Sequence, residues 1–99
     1  MSEVSERPAH EVRDVAERSR YELVADGNVI GFADYQRQGD VFVFPHTVID
    51  PAYRQQGWGD VLVRAALDDV RSKAGKVVAS CWFVAEFLDA HPEFADLRV

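Results

Sequence analysis

Cysteine is all but missing from this chain, with Cys81 the single example. No disulfide can close within it, nothing points to an oxidising compartment, and one cysteine with three scattered histidines offers no paired spacing for a zinc ion. Glycine and proline number only 6 and 4, too few for a fibrous or low-complexity chain. Basic residues are outnumbered, 11 against 17 acidic, and the formal net charge is -6. That balance argues against a general affinity for DNA, RNA or anionic lipid, which needs a basic face, and favours a cationic partner. No stretch approaches the roughly 18 apolar residues of a membrane span, and the charged segment from Met1 to Arg20 lacks the apolar run of a secretory leader. The expectation is a cytoplasmic protein, a monomer or weak homodimer, that binds neither nucleic acid nor membrane.

What the chain does have is an ordinary globular composition: 99 residues, 47% apolar and 28% charged. That length holds one core. A domain of this size hides about two thirds of the surface its unfolded chain exposes, which leaves little for a separate lid. Residues 1–11 mix Ser, Glu, Arg and Pro8 without apolar periodicity and read as a frayed or disordered terminus, leaving 12–99 as a single domain. Tyr21–Ala25 reads as a strand, Asp26-Gly27-Asn28 as a hairpin turn and Val29–Tyr35 as the returning strand. After a second turn at Gln38-Gly39-Asp40, a third strand runs through Val41–Phe44 and resumes from His46 to Ile49. Proline cannot donate to a ladder, so Pro45 predicts a bulge or a one-sided edge.

Beyond Asp50-Pro51 a loop leads into a helix over about 57–74. Val63, Ala66, Leu67, Val70 and Ala74 recur on one face and Asp60, Arg64, Asp68 and Arg71 on the other, with Asp60 one turn ahead of Arg64 as an ion pair requires. Gly75 reads as its C-terminal cap. Lys76–Ala79 is a short strand, and the helix before it allows a crossover that lays it parallel to the strand ending at Ile49. Ser80 reads as the cap of a second helix over about 81–90, which Pro92 ends. The fold class is α+β (mixed α/β): an antiparallel meander plus one parallel strand pair, with two main helices packed on the sheet.

The stretch that carries chemistry is Arg54-Gln55-Gln56-Gly57-Trp58-Gly59, between a strand and an amphipathic helix. Amide N–H groups at a helix start converge, the helix dipole adds positive charge, and glycines let an anion approach the main chain. Arg54 adds a charge-assisted contact to the same anion. Read by itself the pattern fits a diphosphate cradle or a pair of turn and packing glycines equally well.

Arg54-x-x-Gly57-x-Gly59 resembles the pyrophosphate motif of the GNAT N-acetyltransferases, in the position that superfamily uses. More narrowly, the chain resembles the minimal GNAT-like group often called YjdJ-type. The matching residues are Arg20–Leu23, Gly31–Tyr35, His46-Thr47, Pro51–Gly59, Cys81-x-Phe83 and His91–Phe94. Two departures stand out: Trp82 replaces the group's proline between Cys81 and Phe83, and bulky Trp58 replaces a small residue in the glycine loop. The resemblance implies acetyl-CoA or coenzyme A as cofactor, held by Thr47, Val48, Ile49, Arg54, Gln55, Gln56, Gly57, Trp58, Gly59, Asp60 and Phe83. For Trp58 a place packed beneath the loop is the favoured reading over a direct cofactor contact, since tryptophans are mostly core or interface anchors.

The function implied is an acetyl-CoA-dependent N-acetyltransferase acting on a primary amine, small-molecule or peptide, by direct attack or through an acetyl-Cys81 intermediate. Main-chain groups around Thr47–Ile49 would pair with the pantetheine arm and polarise the thioester carbonyl. Cys81, at a helix start, is the first catalytic candidate, as general acid or nucleophile, against its reading as a small buried apolar residue. His46 is the candidate base, against a structural histidine in a strand. His91 reads as a helix terminator. The chain has no room for the helices that wall the acceptor site in larger relatives. A non-catalytic coenzyme A or acyl-CoA binding module and a small interaction domain therefore stand as alternatives.

Overall fold

A five-stranded sheet in the order β1-β2-β3-β4-β5 organises the molecule, of which the computed structural model describes residues 8–99. The strands are β1 (His10–Val15), β2 (Arg20–Ala25), β3 (Asn28–Gln38), β4 (Val41–Ile49) and β5 (Lys76–Ala79). The first four form an antiparallel meander and β5 joins β4 in parallel. That parallel pair requires a crossover, supplied by helix α1 (Trp58–Ser72). Helix α2 (Trp82–Ala90) follows β5, and 3-10 turns occupy Ala16–Arg18, Pro51–Tyr53 and Pro92–Leu97.

β1 is the element the sequence reading missed. Of the frayed terminus read over 1–11, residues 1–7 lie outside the described residues, while His10 and Glu11 pair with Ala25 and Val24 as the start of an edge strand. No residue of β1 is buried, so its sequence HEVRDV carries no apolar alternation to betray it. The hairpin turn falls where expected, Asp26 and Gly27 both taking left-handed backbone (φ 52 and 79), which matches the twist of the flanking strands.

α1 buries Trp58, Leu62, Val63, Ala66, Leu67 and Val70. Each leucine or valine among them contributes about 1.5–3 kcal/mol on leaving water. Ala74, expected on this face, lies exposed beyond the helix end. There Ala74, not Gly75, takes the left-handed conformation (φ 57). Gly75 is required for space instead, because a Cβ would meet Val70 Cγ1 at 2.9 Å and Asp40 O at 3.0 Å. Arg64 ignores Asp60 and reaches Glu93 (3.2 Å) and the rings of Phe87 and Phe94. Ser80 is not the cap of α2: that place falls to Cys81, whose side chain makes no capping bond. His91 ends α2 as expected, its Nδ1 2.8 Å from Phe87 O and its ring stacked on that of Phe87.

Both helices lie on one face of the sheet. Ala33 and Phe44 of the sheet share a small internal void with Val63, Ala66 and Leu67 of α1 and Val84 of α2. Among the described residues no α-helix covers the other face, where Arg20, Asp34 and His46 form a cross-strand row.

Candidate functional site

Pro45 decides the shape of the site. Gln36 pairs with Val43 and Asp34 with His46, so Phe44 and Pro45 together oppose Tyr35 alone. The extra residue is the bulge the proline predicts, and it reverses the alternation of β4. Phe42 and Phe44 are buried under the helices, yet His46 and Val48, at the same spacing, turn outward, and Thr47 takes the inward place opposite Ala33. The parallel ladder with β5 ends at the same point, with Phe44 opposite Ala79 and a last bond from Cys81 N to Phe44 O (2.8 Å). From Pro45 onward β4 parts from the chain that continues β5, and a cleft of about 660 Å³ opens between them. That volume lies within the range of about 300–1,000 Å³ usual for small-molecule sites.

His46, Thr47, Val48 and Ile49 form one wall of the cleft, and Cys81 and Phe83 stand on the other. Arg54, Gln55, Gly57, Trp58, Gly59 and Asp60 close the end at the start of α1. Gln56 does not line it: its Nε2 donates to Ala52 O at 3.4 Å, folding the side chain back along the loop. The loop is sharply bent, with left-handed backbone at Gln55 (φ 63) and at Gly57 (φ 82). A non-glycine residue in that region is strained by about 1–3 kcal/mol, and such strain gathers at ligand clamps. Val61 N makes the first helical bond of α1, to Gly57 O (3.3 Å), so the amides of the first turn ahead of it point out of the helix end toward the loop. Arg54 Nε donates to Ile49 O (2.9 Å), which ties the loop to the free end of β4.

Trp58 borders the end of the cleft yet is almost wholly buried, edge-on to the ring of His10 at 5.1 Å. Gly59 is where the second helix comes closest, since a Cβ there would lie 2.7 Å from Phe83 Cζ. Cys81 is buried at the start of α2, and its Sγ lies 3.8 Å from Thr47 Oγ1 across the cleft. His46 faces the opposite side of β4, with Nε2 2.5 Å from Asp34 Oδ2. The sulfur and the imidazole thus border one cleft from different sides of a strand and do not form a dyad.

Sequence reasoning missed three contributors. Trp82 lines the cleft at 71% exposure, edge-on to Phe83. Tyr53 adds a ring beside Arg54. Asp34 became visible only through the register, because the bulge places His46 rather than Pro45 opposite it.

The profile of a family described as GCN5-related N-acetyl-transferase matches residues 20–97. No sequence among the curated proteins matches the chain. Among solved structures, a GCN5-like protein from Staphylococcus aureus is similar with a TM-score of 0.69 at 20% identity, the match covering 90% of this chain and 87% of that one. The ribosomal-protein-S18-alanine N-acetyltransferase of Escherichia coli matches at a TM-score of 0.57 and 23% identity, over 61% of this chain and 39% of that one. N-acetylglutamate synthase from Neisseria gonorrhoeae, solved with coenzyme A and N-acetyl-glutamate, matches at a TM-score of 0.55 and 22% identity, over 74% of this chain and 19% of that one. At these identities the likeness is one of fold, and the chain spans well under half the length of the two named enzymes.

Proposed function

The chain belongs to the GCN5-related N-acetyltransferase family, and from that premise we propose that it moves the acetyl group of acetyl-CoA onto a primary amine in the cleft between β4 and α2. The observation that carries this reading is the cleft's construction, from the bent loop at the start of α1 to the half of β4 that β5 leaves unpaired. The residues present fit coenzyme A. Amides at the α1 start, the helix dipole and Arg54 suit a pyrophosphate, and the free edge of β4 from Thr47 to Ile49 suits the amides of a pantetheine arm. Within the family we assign the chain to the minimal YjdJ-type group. The motifs around His46, Gly57 and Cys81 support this, as does its near-complete mutual coverage with the small S. aureus protein.

Bound acetyl-CoA supplies an activated thioester, and the remaining tasks fall to the protein. A main-chain N–H of the Thr47–Ile49 edge polarises the carbonyl. His46, exposed at the cleft, takes the proton that the acceptor nitrogen must lose. Cys81 either hands its proton to the departing sulfur or carries the acetyl group itself. The net charge of -6 draws a cationic acceptor such as a lysine, a peptide amine or a polyamine. Purified protein incubated with acetyl-labelled acetyl-CoA and a panel of amines is expected to label an amine. Transient label on the wild-type chain that disappears in Cys81→Ala identifies the covalent route. Coenzyme A binding with label on neither amine nor protein would instead establish a non-catalytic binding module.

A further inference from the structure

His46 is not held by its own strand. Its Nε2 lies 2.5 Å from one oxygen of Asp34, and the other oxygen of Asp34 lies 3.4 Å from Arg20 Nε. The three residues stand side by side on adjacent strands, Arg20 opposite Asp34 on β2 and β3, Asp34 opposite His46 on β3 and β4. Arg20 is itself pinned, its guanidinium 4.0 Å from the centre of the Phe32 ring and 3.8 Å from Glu22 Oε2. The row exists only because of the bulge: without the extra residue at Pro45, Asp34 would face proline and His46 would point under the helices.

A polar contact as exposed as this one, with His46 58% and Asp34 24% accessible, adds little to stability. Its effect on the ring is larger. A carboxylate on Nε2 fixes the proton there in the neutral imidazole and leaves the Nδ1 lone pair as the accepting site. Asp34 does not line the cleft, whereas His46 does. Resting on the acetyl-transfer reading, we propose that Asp34 is a positioning residue: through Nε2 it holds His46 in the tautomer and orientation in which Nδ1 receives the acceptor's proton.

The test pairs a spectroscopic readout with kinetics. Long-range proton–nitrogen NMR of the unliganded wild-type chain, with His46 assigned by the signal lost in His46→Gln, is expected to show the neutral ring protonated at Nε2 alone. In Asp34→Ala both tautomers should appear, and Asp34→Glu should restore the single form. In amine acetylation, Asp34→Ala should lower kcat by about 10- to 100-fold, part of the range a general base contributes, with KM for acetyl-CoA unchanged and partial recovery in Asp34→Glu. A wild-type ring that is a tautomer mixture, or an Asp34→Ala variant that keeps the wild-type kcat, overturns the role of Asp34 while leaving the transfer reading intact. A wild-type chain that binds coenzyme A yet acetylates no amine overturns the transfer reading, and this role with it.

Discussion

Gly59 and Phe83 meet so closely that a methyl group on the glycine would fall 2.7 Å from the ring. The sequence marks Gly59 as part of an anion loop, and the structure adds a second reason for it: the absence of a side chain lets α2 lie against the start of α1. Gly59→Ala should therefore lower stability by about 1–3 kcal/mol, the usual cost of overpacking. Combining it with Phe83→Leu should recover most of that loss in chemical denaturation, since the two changes share one space. A Gly59→Ala variant as stable as wild type would show that the ring yields without cost. At this scale residue type was legible and partnership was not. His46, Cys81 and Gly57 announce themselves by their chemistry, whereas Asp34 and Tyr53 are ordinary residues until a strand register or a turn puts them beside the site.

Among the elements, the joint between α1 and β1 depends on a cluster that the sequence did not reveal. Tyr21 OH donates to Asp69 Oδ2 (2.6 Å), Tyr35 OH to Asp14 Oδ1 (2.6 Å), and Lys73 Nζ donates to Asp14 and Asp69 (2.6 Å each). Burial, then the hydrogen bond to Asp69, pushes the Tyr21 phenol well above its ordinary value. Burial alone would raise Asp69, but the bonds from Lys73 and Tyr21 outweigh it and hold the carboxyl below its usual range. The raised phenol contributes stability that is full below about pH 10, the unfolded value, and is lost as pH rises toward the folded one. The lowered carboxyl contributes stability that is full above about pH 4 and is lost as pH falls through its folded value. Tyr21→Phe should cost about 1.5–3 kcal/mol at neutral pH, as a hydrogen bond to a charged group does. Its deficit against wild type should shrink both above about pH 10 and below about pH 4. Thermal unfolding of both proteins across that range checks the sign, and a deficit constant with pH would contradict it.

The elements themselves were legible in proportion to their burial. α1 shows in the spacing of its apolar side chains, β5 in its β-branched pair Val77-Val78, and the β4 bulge in a proline where none should fit a ladder. β1 was invisible because an exposed edge strand needs no apolar pattern, and its register with β2 is fixed by main-chain bonds that any sequence can make.

For the molecule as a whole, one asymmetry ties fold to function. The two helices crowd one face of the sheet, the bulge turns His46 to the other, and the cleft where β4 leaves β5 joins them. Sequence periodicity reports which residues are buried but not where two strands separate, so the cleft itself could be anticipated only from the family resemblance. Among the described residues no helix is long and apolar enough to cross a membrane.

Whether the bent loop at the start of α1 holds a pyrophosphate, as we propose, is read by calorimetry. Coenzyme A should bind the wild-type chain, pantetheine alone should bind at least about 10-fold more weakly, a difference of 1.4 kcal/mol, and Gly57→Glu should abolish the coenzyme A signal while keeping the fold. Equal affinity for coenzyme A and pantetheine, or a Gly57→Glu variant that binds coenzyme A like wild type, would mean that the loop holds no pyrophosphate.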